Sequence, residues 1–173
     1  MNKKQKGFTL VEMIIVTVII GILAGIVITV INIPRVQAKS RDSKRIGDLK
    51  RIQTALELYF ADNRGYPVRV SWVNVSDLTE IDSYIDPIPV DDRDSESIAE
   101  SVKRCYGFAT RGYKYGTNLT GGKYVLMAMM ELPESAESSR CYDLSNCDPS
   151  SGLPCDTSIK SSVTHCYCVQ NPM

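Results

Sequence analysis

The chain has 173 residues, with twenty basic and twenty acidic side chains and a formal net charge of zero. That length fits one modest domain plus an anchor. The charge balance gives no support to nucleic acid as a direct partner, since binding phosphates calls for a clear basic excess.

Residues 1–7 form a short basic leader with Lys3, Lys4 and Lys6, ending in Gly7. Residues 8–33 follow as an apolar helix, with nineteen uncharged residues from Met13 to Ile31. As a helix this stretch is roughly 39 Å long, against a hydrocarbon core of about 30 Å, so it is expected to cross a bilayer. A cleavable secretory signal is the competing reading. Its apolar core is usually shorter, about 7–15 residues, and ends at a small-residue site. Here Ala24 and Gly25 lie within the run, and Asn32-Ile33-Pro34-Arg35 follows it. Pro34 is expected to kink the chain where the apolar helix ends, because proline lacks the amide and crowds the preceding turn.

Glu12 is the one acid in this segment. A carboxylate in an apolar helix costs a few kcal/mol, at least about 2.5, unless it is paired, protonated or shallow enough to reach headgroups. A cut between Gly7 and Phe8 would create a Phe8 amine one helical turn from Glu12, on the same face. Gly21 and Gly25 form a G-x-x-x-G spacing, read either as close helix packing or as a place where the helix loosens.

Residues 34–63 show a second, amphipathic helix. Ile46, Leu49, Ile52, Leu56 and Tyr59/Phe60 recur at helical spacing, and Lys44, Arg45, Asp48, Lys50, Arg51 and Glu57 are expected on the other face. Gly47 weakens it by up to about 1 kcal/mol. The segment Ala61–Pro67, "ADNRGYP", supplies its stop signals.

Residues 64–173 read as a compact head. A short helix is expected over Ser76–Ile85 with Ser76 as its cap. Strands are expected at Cys105–Thr110, Tyr113–Gly116 and Lys123–Met130, the last two joined by a hairpin through "TNLTGG". From Glu131 onward the periodicity fades. All six cysteines, Cys105, Cys141, Cys147, Cys155, Cys166 and Cys168, fall after residue 100. An even, clustered count reads as disulfides in an oxidising compartment, with zinc at His165, Cys166 and Cys168 the weaker alternative. Basic residues flank the apolar run on both sides, Arg35, Lys39, Arg41, Lys44 and Arg45 on the far one, so charge alone leaves orientation open. The cysteines favour an N-terminus inside and a C-terminus outside the cytosol. The fold class expected is α+β: a long N-terminal helix packed on a small antiparallel sheet, with a disulfide-stapled C-terminal region.

The segment "GFTLVEMIIVTVIIGILAGI" resembles the N-terminus of type IV pilins and the pseudopilins of type II secretion and competence systems, a likeness that covers roughly residues 1–67. The resemblance implies cleavage after Gly7 by a prepilin peptidase, methylation of Phe8, and pairing of Glu12 with the Phe8 amine of a neighbouring subunit. It implies a homo-oligomeric helical filament, built by an inner-membrane platform and its ATPase from a precursor held in the cytoplasmic membrane. The expected product is an extracellular type IV pilus for adhesion, motility or DNA uptake, with a periplasmic pseudopilus of a secretion or competence system the alternative. Many relatives carry a proline well inside the apolar helix, which this chain lacks. Major pseudopilins hold calcium in their C-terminal region, which makes Asp91, Asp92, Asp94 and Glu96 weak candidates for it. No other cofactor is expected. With His165 the single histidine, and no phosphate loop or nucleophile elbow, a structural subunit is expected rather than an enzyme. A membrane-anchored binding domain that never polymerises is the alternative from another class.

Overall fold

The structure is a computed structural model, and it describes residues 7–30, 32–97, 110–136 and 165–171. The chain divides into two compact units, Met1–Gln37 and Ala38–Met173. In the first, helix α1 spans Leu10–Val30. Its aliphatic residues are apolar on every side, so no stripe singles out one face to bury. Large side chains from Phe8 to Val27 are accordingly exposed, most by more than half.

Helix α2 spans Ile33–Asn63. Asn32 caps it, its Oδ1 accepting the Arg35 N–H at 3.3 Å and its carbonyl accepting the Val36 N–H at 3.1 Å. Pro34 therefore lies in the first turn of α2, where a missing amide costs nothing because that donor has no intrahelical acceptor. Where a kink was expected, Asn32 lies outside both helices and caps a new helical start.

In the second unit α2 buries Leu49, Ile52, Ala55 and Leu56 in one cluster with Tyr115, Leu126, Met130 and Tyr167 of the sheet region. The sheet is a four-stranded antiparallel meander in chain order: β1 (Val73–Asn74), β2 (Lys114–Thr117), β3 (Tyr124–Met129) and β4 (Cys166–Gln170). Val73, Tyr115, Leu126 and Val169 form one cross-strand row. Alternation along β3 sends Tyr124, Leu126 and Ala128 to the helix-side core, while Val125, Met127 and Met129 are buried on the opposite face. A short helix, α3, spans Pro133–Ala136.

The hairpin between β2 and β3 forms as expected. Asn118 closes it, donating its N–H to the Lys123 carbonyl and accepting the Lys123 N–H on Oδ1. Gly121 sits at φ 67°, and a Cβ there would come within 2.9 Å of the Tyr66 carbonyl oxygen, so only glycine fits without a backbone shift.

Two readings are corrected. The helix expected over Ser76–Ile85 is instead a pair of 3₁₀ turns, Val75–Asp77 and Thr79–Ile81. Val75, Leu78 and Ile81 are all buried, and three-residue spacing stacks them on one side of a 3₁₀ turn, which an α-helix would spread apart. Nor is there a cap at Ser76: Asn74 precedes the first turn, without a side-chain cap bond. β4, in the stretch where periodicity fades, was not expected at all. It places Cys166 and Cys168 opposite Met129 and Met127, both cysteines buried. Cys105, Cys141, Cys147 and Cys155 lie outside the described residues, and so does most of the strand expected at Cys105–Thr110. Of that strand, Thr110 alone is described, in an isolated bridge to Ser97.

Candidate functional site

The N-terminal segment is built around Thr9. Its Oγ1 accepts the Glu12 N–H at 3.3 Å and its carbonyl accepts the Met13 N–H at 3.3 Å. Thr9 is thus the N-cap of α1 and Glu12 its third helical residue, the Thr-x-x-Glu spacing of a capping box. This role of Thr9 was legible in the sequence but overlooked. A carboxylate in the first turn also meets the positive end of the helix dipole. Both effects are local. Among the described residues no cation reaches the Glu12 carboxylate, and nothing in the first unit removes it from its surroundings.

Phe8 is 77% exposed and precedes the helix, outside the N-cap. Phe8 thus lies outside the helix that carries Glu12. The window Leu10–Val27 has a mean hydropathy of 2.8 and none of it is buried. A Cβ at Gly21 or Gly25 would meet nothing within 4 Å, so no contact within the unit requires either glycine. Gly7, too, stands in open space.

The second unit treats charge in the opposite way. Arg45 and Asp48 were expected on the solvent face of α2, and both are buried. The Arg45 guanidinium donates to the Asp91 carboxylate through Nε and Nη2, to Asp42 Oδ1 at 2.8 Å and to Glu131 Oε1 at 3.1 Å. Asp42 also accepts the N–H groups of Glu131 at 2.8 Å and Leu132 at 3.0 Å. Arg41 forks onto Glu131 with two bonds of 2.7 and 2.6 Å. Burial alone would lower the Arg45 pKa, but the Asp91, Asp42 and Glu131 carboxylates outweigh it and raise it. The Arg41 bond, with the charges of Arg45 and Arg93, holds Glu131 down to about 2. Two further carboxylates anchor tyrosines: Glu57 accepts from Tyr66 and Tyr124, and Asp48 from Tyr113. Burial, then those carboxylates, push all three phenols up.

The acidic run proposed for calcium is engaged largely by basic side chains. Asp91 is buried on Arg45, Asp92 meets Lys44 at 2.6 Å, and Glu96 meets Arg111 at 3.3 Å and Arg93 at 3.5 Å. Asp94 lies with its carboxylate against Gly112. Among the described residues no three His, Cys, Asp or Glu side chains converge as a metal site. His165, placed beside the cysteines in the zinc alternative, uses its carbonyl to accept the Met130 N–H at 2.7 Å, and burial lowers its imidazole pKa.

A family model described as the prokaryotic N-terminal methylation motif matches residues 2–28. The chain is 45% identical over 66 residues to the type II secretion system core protein G of Pseudomonas aeruginosa, covering 38% of this chain and 45% of that protein. It is 41% identical over 64 residues to the protein of the same name in Escherichia coli K12, covering 37% and 43%. Against that of Vibrio cholerae it is 40% identical over 65 residues, covering 38% and 43%. The chain thus spans a little under half the length of these curated relatives. No solved structure matches it.

Proposed function

We propose, from the premise that this chain carries the N-terminal segment of the type IV pilin and pseudopilin family, that it is the precursor of a filament subunit rather than an enzyme. The observation that carries this reading is α1: a capped apolar helix, exposed from Leu10 to Val27, whose one carboxylate meets no cation among the described residues. Before assembly, lipid covers the helix. After a cut at Gly7–Phe8, copies of the helix cover one another, and the new Phe8 amine of one copy meets Glu12 of another. Pairing in low dielectric is offset by desolvation, so the pair sets register while apolar packing supplies cohesion. Cleavage also leaves Thr9 as the second residue of the mature chain, so the cap that starts α1 survives it.

The named relatives favour a periplasmic secretion pseudopilus over a surface pilus. The orientation is N-terminus inside and head outside. The cations after the apolar run, which oppose it, have a structural reason to be there: Arg41, Lys44 and Arg45 all hold head carboxylates. A prepilin peptidase and an inner-membrane assembly ATPase are the partners this role requires, and it calls for no cofactor.

Intact-mass measurement on sheared surface material and on the remaining envelope tests the reading. A species starting at Phe8 with one added methyl, held in the envelope, is the expected result. Its abundance in the sheared fraction would move the assignment to a surface pilus. An uncut chain starting at Met1 in both would leave an anchored, non-polymerising domain.

A further inference from the structure

Charge is unevenly spread along α2 and the loops that follow it. Residues 35–51 hold seven basic and two acidic side chains, whereas residues 77–96 hold eight acidic and one basic. The head neutralises part of this within itself, through Lys44–Asp92, Arg45–Asp91 and Arg69–Glu80. Two cations of α2, Lys39 and Lys50, and two carboxylates of the following loop, Asp82 and Asp86, enter no ion pair among the described residues, and all four are exposed. Lys39 and Lys50 stand eleven residues apart on α2, close to three full turns, so they form one row roughly 16 Å long on the same side of the helix. Asp86 stands on the rim of an open groove of about 360 Å³ beside α2, with Arg51 and Tyr84.

A contact that opposed the lysine row to itself, or the two carboxylates to themselves, would set like charges directly against each other and is unfavourable, whereas row against carboxylates is complementary. Made heterologously, row against carboxylates is the kind of contact that propagates into an open helix. We propose that the Lys39–Lys50 row of one copy docks on the Asp82–Asp86 edge of the next copy, giving the heads a second register in addition to the one set in the apolar helix. This rests on the filament reading above and names the surface through which the heads meet. Each exposed pair is weak alone. Repeated at every subunit, the pairs select the correct neighbour and exclude a shifted one.

The test uses the full-length chain in the membranes of expressing cells. A carbodiimide joins a lysine amine to an aspartate carboxyl as an amide only when the two are in contact, the carbodiimide taking up the released water. Wild-type copies should give an oligomer ladder whose mapped links join Lys39 or Lys50 to Asp82 or Asp86 of a differently tagged copy. K39E/K50E and D82K/D86K should each lower the ladder at least about tenfold, because each opposes like charges. The chain carrying all four changes should restore it, and unchanged protease resistance of the heads would show that the variants still fold. A ladder that persists in both double variants, without those links, overturns the interface and leaves polymerisation standing. The absence of a ladder in wild type, with the carbodiimide and with a longer amine-reactive cross-linker, overturns both.

Discussion

Glu12 and Asp42 are the same chemistry handled in two ways. Asp42 is fully buried in the head and accepts from Arg45 and from two backbone N–H groups. Glu12 heads an apolar helix, its backbone N–H satisfied by Thr9 and its carboxylate meeting no cation among the described residues. The Arg45 cluster meets its carboxylates within one chain. The apolar side chains that follow Glu12, as far as Val27, are exposed. The difference lies in burial: the described side chains of α1 are exposed, whereas the Leu49–Ile52–Leu56 stripe of α2 is covered by its own chain.

The strongest way to break this contrast is to remove the hub of the head. Arg45→Ala leaves the Asp91, Asp42 and Glu131 carboxylates facing one another with their central cation gone. Breaking a buried ion network from one side costs about 3–5 kcal/mol, and urea unfolding of the detergent-solubilised chain should show a loss of that size. A loss under about 1 kcal/mol would mean that water reaches the cluster. Cleavage at Gly7 should be unaffected, because that chemistry belongs to the other unit.

Acid attacks the same cluster. Glu131 is held near 2 in the folded head, below the ordinary carboxyl value of 4.5. A carboxyl with a depressed folded pKa stabilises the fold fully above its unfolded value, and the contribution is lost as pH falls from about 4.5 toward 2. The Glu131 contribution to unfolding free energy should therefore be constant above about pH 5 and be lost below it, by roughly 3 kcal/mol at most across the window. In Glu131→Gln that part of the acid dependence should disappear.

The matching change in α1 is Glu12→Leu. Removing a carboxylate from the bilayer makes insertion more favourable, by less than about 3 kcal/mol since the residue lies near the helix end. Head stability and membrane insertion should hold while assembled material is lost. Wild-type levels of filament in this variant would sink the pairing argument. Together with Arg45→Ala it separates the units: one change unfolds the head, the other stops assembly.

The sequence-legible parts of the fold are those with local causes. The uninterrupted run of α1, the Leu49–Ile52–Leu56 stripe of α2 and the Asn118–Gly121 hairpin each follow from neighbours a few residues apart. The ion cluster does not. Arg45 finds Asp91 at a separation of 46 residues, and Asp42 finds the Glu131 N–H at 89. From α2 alone a charge reads as a solvent face, and only the loop and strand end brought against it turn that face inward. β4 was missed for a related reason: Cys166-Tyr167-Cys168 has little alternation of its own and becomes a strand through pairing with β3. The N-terminal site was legible because its order of residues is local. Its meaning rests on the resemblance more than on the physics, since capping and dipole would stabilise any acid at that position.

The smallest expected effect bears on what the exposed side of α2 is for. Gly47 lies on that side, and a Cβ there would meet nothing within 4 Å. Alanine should therefore stabilise α2 by up to about 1 kcal/mol, since glycine gives up more backbone freedom in a helix and the new methyl displaces nothing. Thermal unfolding of the full chain should show a rise of that order. The informative comparison is with assembly in the same variant. Equal assembly means that the head surface at Gly47 faces water, and the glycine is only a local weakness. A more stable head that assembles less well means that a neighbouring copy approaches the α2 backbone closely at Gly47, three residues before Lys50. The head would then share one property of α1 after all, a surface left open for another chain.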